Sequence, residues 1–252
     1  MRFTRSVIQK FAVLCACSAF LLGTMAWAQN SNEESDINKR LDSAATVLTQ
    51  IMATPDKGIP NNVFESAECV AVVPSMIKVA LGFGGSHGKG VATCRTAHGW
   101  SAPAPITITG GSWGLQIGGQ AVDLVMLVMN QKGMTDLLSS KFKIGAGASA
   151  AAGPVGRDAA ANTDWKMKAE VLSYSRARGV FAGVDLNGSS ITQDKDETRI
   201  LYGKMISFSD LLTGKVAPPQ SAANFLGTVR KFATEAKSTS GSIHTPSPNQ
   251  GQ

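Results

Sequence analysis

The sequence predicts an α+β fold: a compact, glycine-rich, mainly antiparallel β core flanked by N- and C-terminal helices. Three observations carry this expectation. Eleven of the 26 glycines fall between Gly82 and Gly119, interleaved with Val91, Ile106, Ile108, Leu115 and Ile117. Glycine permits positive φ and close backbone approach, so the block reads as kinked, tightly packed strands rather than a linker. Amphipathic helical stripes flank this block towards both ends of the chain, and no β-α-β-α alternation runs through it, which argues against a doubly wound sheet. With 252 residues, 43% of them hydrophobic, the chain suits one good core and not two large domains.

The first 28 residues stand apart. Arg2, Arg5 and Lys10 precede an apolar run from Phe11 to Ala28 that ends Ala26-Trp27-Ala28. A positive start, an apolar stretch and small residues at the exit define a secretory signal peptide, here expected to be cleaved after Ala28. Two alternatives stay open: an uncleaved anchor, since the run is nearly long enough to span a bilayer, and a lipoprotein in which Cys17 closes the lipobox-like Leu14-Cys15-Ala16-Cys17. Cleavage removes three of the 24 Lys and Arg and none of the 18 Asp and Glu. The mildly basic remainder has no block of like charge and excludes a nucleic-acid footprint. Of the four cysteines, Cys69 and Cys94 remain. In an oxidising compartment the simplest pairing is one disulfide, the alternative being two buried thiols.

Residues 29–57 read as an N-terminal amphipathic helix. Ser31-Asn32-Glu33-Glu34 is a capping box, and Ile37, Leu41, Ala44, Leu48 and Ile51 form one stripe. Its polar face is mixed in charge, which favours docking on the core, with membrane-surface contact as the other reading. The core spans 58–237. A short helix from Pro60 to Ala67 precedes strands near 68–73, 89–95, 104–109 and 112–117. The run Ala121–Met129 (AVDLVMLVM) reads as a strand buried on both faces, in which Asp123 needs a hydrogen-bond partner. A short helix at 132–140, strands at 169–174 and 179–186, and an Asn187-Gly188 turn into Ser189–Thr192 follow. Helices at 208–213 and 221–236 close the domain. Residues 238–252, rich in Ser, Pro, Gly and Gln, read as a disordered tail.

Several motifs mimic chemistry. Gly110-Gly111-Ser112-Trp113-Gly114 fits G-x-S-x-G, but the only histidine after Ser112 is His244, in the tail, and no helix follows. The stretch is read instead as a glycine-rich β-turn. Gly88-Lys89 lacks the rest of a phosphate loop, and Gly145–Ala150 fits a dinucleotide fingerprint without its βαβ unit. Cys69, Cys94, His87 and His98 lack the paired spacing of a zinc site. Asp194, Asp196 and Glu197 read as a solvated acidic turn. No catalytic residue, metal or cofactor is therefore assigned. What remains is basic residues beside glycine-rich backbone, whose exposed N–H groups can form anion-binding nests.

The ordered series Cys69-Val70-Ala71-Val72-Val73-Pro74, Gly82-Phe83-Gly84-Gly85, Gly99-Trp100-Ser101-Ala102-Pro103, Gly111-Ser112-Trp113-Gly114-Leu115-Gln116-Ile117-Gly118, Gly153-Pro154-Val155-Gly156-Arg157 and Ser173-Tyr174-Ser175-Arg176 resembles the SYLF domain. The resemblance runs from about Asn38 to Lys237. It implies a non-enzymatic lipid-binding module: eukaryotic relatives bind phosphoinositides, and yeast relatives also bind and bundle actin. Export argues against an actin partner here and makes anionic phospholipid headgroups the natural ligand. Lys89, Arg95, Arg157, Arg176 and Arg178 are the expected headgroup contacts, with the N-terminal helix assisting. The protein would then be periplasmic and peripherally membrane-associated. The alternative is a structural or protein-interaction module of the cell envelope.

Overall fold

The computed structural model describes residues 34–54, 58–139, 141–145, 149–155, 169–177, 180–181 and 186–243. The signal peptide, the capping box residues Ser31 to Glu33, Arg157, Arg178 and the tail beyond Ile243 lie outside the described residues.

Two strands dominate. β1 (Cys69–Thr96) runs for 28 residues and β3 (Ala104–Val128) for 25, where strands usually hold 3–10. They pair antiparallel along almost their whole length, from Ala92 opposite Ala104 to Cys69 opposite Val128. The short β2 (Gly99–Trp100) folds back on the end of β1. The sequence splits β1 and β3 into shorter strands at their glycines, and the structure corrects this. Gly110–Gly114 lies within β3, opposite Ser86–Gly82, and is not a turn.

A straight strand with the 25-residue separation of Cys69 and Cys94 would span roughly 80 Å. Their Cα atoms are 3.9 Å apart and their sulfurs are bonded, so the hairpin curls until β1 meets its own beginning. The Arg95 N–H donates to the Glu68 carbonyl at 2.7 Å. Two register shifts, at Val73/Met76 and Leu81/Gly82, interrupt the pairing. At the first, Ser75 adopts φ 51°, and its N–H donates to Asp123 Oδ1 at 3.0 Å. This is the partner that Asp123 requires. Gly88 and Gly90 sit where the curled strand overlies itself. A Cβ at Gly90 would stand 2.2 Å from the Val72 carbonyl oxygen, and one at Gly88 2.7 Å from Val73.

The remaining strands extend this ribbon. β6 (Val171–Ala177) pairs with β3 at Asp123–Val128, and β8 (Ser189–Gln193) with β3 at Ile106–Gly110. β4 (Lys141–Lys143) pairs with β8, and β7 (Val180–Phe181) with β6. β5 (Ala150–Ala152) joins β6 in parallel, while the other pairings are antiparallel.

Strand alternation feeds two cores. Val70, Val72, Val125, Leu127 and Tyr174 face a helical layer made of α1 (34–52), α2 (Asn61–Glu65) and α6 (Ala223–Ile243). Ala71, Val73, Leu124, Met126 and Val128 face the other core, with Ile106, Ile108, Phe142 and Ile191. It is closed by α3 (Gln131–Leu138) through Leu137 and α5 (Phe208–Leu212) through Phe208 and Leu211. The apolar run at 121–129 is thus buried on both faces from Val122 on, as its sequence predicts, with Asp123 half-buried. Between β8 and α5 lies α4 (Lys195–Tyr202), where the sequence reading has an acidic turn. Helix α6 continues past Lys237 to Ile243, into the segment read as disordered.

Ile37, Leu41, Ala44, Leu48 and Ile51 are each at most 1% exposed. The stripe of α1 is buried in the core and is not available to a membrane, which removes the assisting role expected of this helix.

Two tests follow from the curled hairpin. Gly90→Ala forces a Cβ into the Val72 backbone and is expected to cost about 2 kcal/mol or more, whereas Gly111→Ala, with open space at its Cβ, stays within about 0.5 kcal/mol of wild type. Urea unfolding of both variants compares them directly. Reducing Cys69–Cys94 releases a loop whose closure is worth roughly 3–4 kcal/mol. The urea midpoint is therefore expected to fall clearly on adding dithiothreitol, and an unchanged midpoint would show that backbone pairing alone holds the hairpin shut.

Candidate functional site

The sequence reading places five basic side chains at the site. The structure describes three of them, and each is engaged inside the fold. Lys89, on β1 opposite Thr107, meets Asp194 Oδ2 at 2.8 Å and Glu197 Oε1 at 3.1 Å. The same Glu197 oxygen accepts from Arg40 Nη1 of α1 at 2.7 Å. Thr107 Oγ1 donates to Asp194 Oδ2 at 3.1 Å. One network therefore ties α1, β1, β3 and the start of α4 together. Glu197 Oε2 is buried without a hydrogen-bond partner.

Asp194 and Glu197 are the largely buried carboxylates that the acidic-turn reading misses. Asp194 is the N-cap of α4, and its side chain accepts from the Glu197 N–H. A signal was present: Asp194-Lys195-Asp196-Glu197 has the spacing of a capping box. Here Glu197 turns to the two cations instead of back to the N-cap.

Arg95 is built into the frame as well. Its Nε donates to the Ala67 carbonyl at 2.7 Å, and its Nη2 to those of Glu65 at 3.1 Å and Phe64 at 3.3 Å. It thus covers the carbonyl end of α2, where backbone acceptors lack helical partners. Its guanidinium lies 4.6 Å from the centroid of the Trp100 ring, a cation–π contact. Arg176 pairs with Asp123 Oδ2 at 3.2 Å and reaches Gln50 of α1, while its Nε is buried without a partner. Lys89 and Arg176 flank β3 at opposite ends, near Thr107 and Asp123 respectively. The three do not converge on one ligand. A lysine or arginine beside glycines looks the same in sequence whether water or a distant carboxylate receives it.

Burial alone would raise the Asp194 carboxyl, but the Glu197 N–H, Lys89 and Thr107 outweigh it and hold the group below its usual range. Burial alone would lower Lys89, and its two carboxylates outweigh that and raise it.

The enzyme-like motifs resolve into structure. Ser112 stands opposite Gly84 inside the paired length of β3, whereas a nucleophile elbow needs a strand-to-helix turn. Cys69 and Cys94 form a disulfide, so they are not thiolate ligands alongside His87 and His98. Among the described residues no group of three His, Cys, Asp or Glu is placed to hold a metal ion. No helix among them is long and apolar enough to cross a membrane.

What the hairpin leaves on the surface is different in character. From Cys69 to Val122 it contains no Asp or Glu, and of its Lys and Arg, Lys89 and Arg95 are turned to internal partners. His87 is exposed, as are Ile77 and Val79.

The ion network yields a pH test. Asp194, lowered by folding, stabilises above about pH 4, and that contribution is lost as pH falls through its folded pKa. Lys89, raised by folding, stabilises below about pH 10.4, and its contribution is lost as pH rises through its folded pKa. Lys89→Met is therefore expected to lower the urea midpoint most between these limits and to converge on wild type towards both extremes. A pH-independent difference would assign the effect to packing of the lysine stem.

The profile of the Ysc84 family, described as Las17-binding protein actin regulator, matches residues 109–232. SH3 domain-containing YSC84-like protein 1 of Rattus norvegicus is 32% identical over 219 residues, covering 84% of this chain and 64% of the rat protein. The Homo sapiens protein of the same name is 31% identical over 210 residues, covering 81% and 61%. LAS seventeen-binding protein 3 of Saccharomyces cerevisiae is 32% identical over 168 residues, covering 65% of this chain and 36% of the yeast protein. The chain thus spans less than two thirds of the length of these relatives, two of which are named for an SH3 domain as well and one for binding a protein. On the ordered motifs, the α+β architecture and these matches together, the chain belongs to the Ysc84 family, the family of the SYLF domain.

Proposed function

We propose that this protein is a non-catalytic module of a bacterial cell envelope that binds membranes rich in anionic phospholipid. The observation that carries this reading is the middle of the β1–β3 hairpin, which exposes Ile77 and Val79 in a segment with no carboxylate from Cys69 to Val122. Such a segment offers no negative charge for an anionic leaflet to repel. The signal peptide read at 1–28 would deliver the domain to the periplasm, where such lipid is its nearest surface and where Cys69 and Cys94 oxidise. Because Lys89, Arg95 and Arg176 are committed to internal partners, they act as the frame of the binding surface and not as its direct contacts. Arg157 and Arg178 keep the role that the sequence reading gives them.

The second reading is a protein-interaction module. It is favoured by the names of the relatives, which describe Las17 binding in yeast and a Las17-binding actin regulator for the family. Export would separate this chain from actin, so its partner would be another envelope protein.

Co-sedimentation of residues 29–252 with liposomes separates the two. The described fold begins at Glu34, so this chain carries it without the apolar leader. Binding to phosphatidylglycerol-containing liposomes, little binding to phosphatidylcholine alone, and a loss of severalfold or more between low and high salt are expected. No sedimentation with either lipid would end the lipid reading in favour of a protein partner.

A further inference from the structure

Ile77 and Val79 are 55% and 49% exposed, more than any other large apolar residue whose side chain the structure describes. They lie two positions apart on β1 and so share one face. In the register they stand opposite Ala121 and Gly119. This is the middle of the hairpin. β8 leaves β3 at Gly110 and β6 joins it at Asp123, so among the described residues Gly111–Val122 has only β1 as a strand partner. The fold thus exposes aliphatic side chains on a narrow two-stranded ribbon while the stripe of α1 is buried.

We infer that this ribbon is the element that enters the lipid surface, with Ile77 and Val79 penetrating the headgroup–acyl boundary. The inference rests on the lipid reading above and adds the point of contact. Two features favour a bilayer as the occupant. Strands lie about 4.8 Å apart, so a two-stranded ribbon is too narrow to supply the roughly 800 Å² per partner of a stable protein interface, whereas a bilayer needs no complementary surface. The ribbon also lacks carboxylates, which would be repelled by an anionic leaflet, and Lys78 stands between Ile77 and Val79 in its sequence. Shallow aliphatic insertion with cations at headgroup level is the pattern of interfacial binding.

The test uses residues 29–252 with Ile77→Cys carrying an environment-sensitive nitrobenzoxadiazole label, since Cys69 and Cys94 are occupied with each other. With phosphatidylglycerol–phosphatidylcholine vesicles the label is expected to shift to the blue and to be quenched by brominated acyl chains. In parallel, Ile77→Asp/Val79→Asp is expected to lose about tenfold or more of its vesicle binding, while Met205→Asp, at an exposed position outside the ribbon, stays within about twofold. Should the double variant fail to fold by circular dichroism, the label decides. If the unsubstituted chain binds but the label neither shifts nor is quenched, the ribbon inference is overturned and the lipid reading stands. If the unsubstituted chain binds no vesicles, both fall. If the label shifts without vesicles and light scattering gives the mass of a dimer, the ribbon's occupant is a second copy and the inference is overturned.

Discussion

The architecture depends on one closure: a 28-residue strand returns to its own start. Every other element uses a surface that this closure creates. The two register shifts turn the hairpin, with Asp123 receiving the Ser75 N–H at the first of them. Gly88 and Gly90 remove the side chains that would hold the crossing segments apart. The Arg95 N–H to Glu68 bond and the Cys69–Cys94 disulfide then fasten the ends. Only a sheet curled in this way presents one face to the helical layer and the other to a second, separate core.

Electrostatics reinforces the closure. The network of Arg40, Lys89, Thr107, Asp194 and Glu197 joins four elements, and Arg176 bridges β3, β6 and α1 through Asp123 and Gln50. Arg95 fastens α2 to the end of β1. Cations that suggest ligand binding in isolation are consumed in holding helices to the sheet. Burying such groups is tolerable only because each meets a carboxylate or several carbonyls. Ile77 and Val79, by contrast, stay exposed on a stretch of the hairpin that has no acidic residue.

Much of the fold was legible because its signals are local. The stripe from Ile37 to Ile51, the apolar run that is buried from Val122 to Met129 apart from Asp123, and the face of Phe225, Val229 and Phe232 are patterns within one element, and their apolar side chains are buried as their spacing predicts. The turn at Asn187-Gly188 is equally local, with Gly188 at φ 79°, but the hairpin that it signals is not formed among the described residues: β7 pairs with β6, and β8 with β3 and β4. The continuity of β1 and β3 was not legible. Glycine serves both turns and close crossings, and at Gly90 the decisive neighbour, Val72, is named by no nearby residue. The candidate site failed to be legible for the same reason. Whether Lys89 is solvated or paired depends on Glu197, 108 residues away.

The pairing of β1 with β3 also fixes an order of events. Ala92 opposite Ala104 closes a short loop beside the connecting turn, whereas Cys69 opposite Val128 encloses about sixty residues. Chain entropy therefore favours pairing that begins beside the turn and travels outward. The second half of β1 can zip to β3 as soon as the turn forms, while its first half waits for the far end of β3 to be made. Synthesis and assembly consequently run in opposite directions through this strand: the residues of β1 that emerge first are the last to find their neighbours.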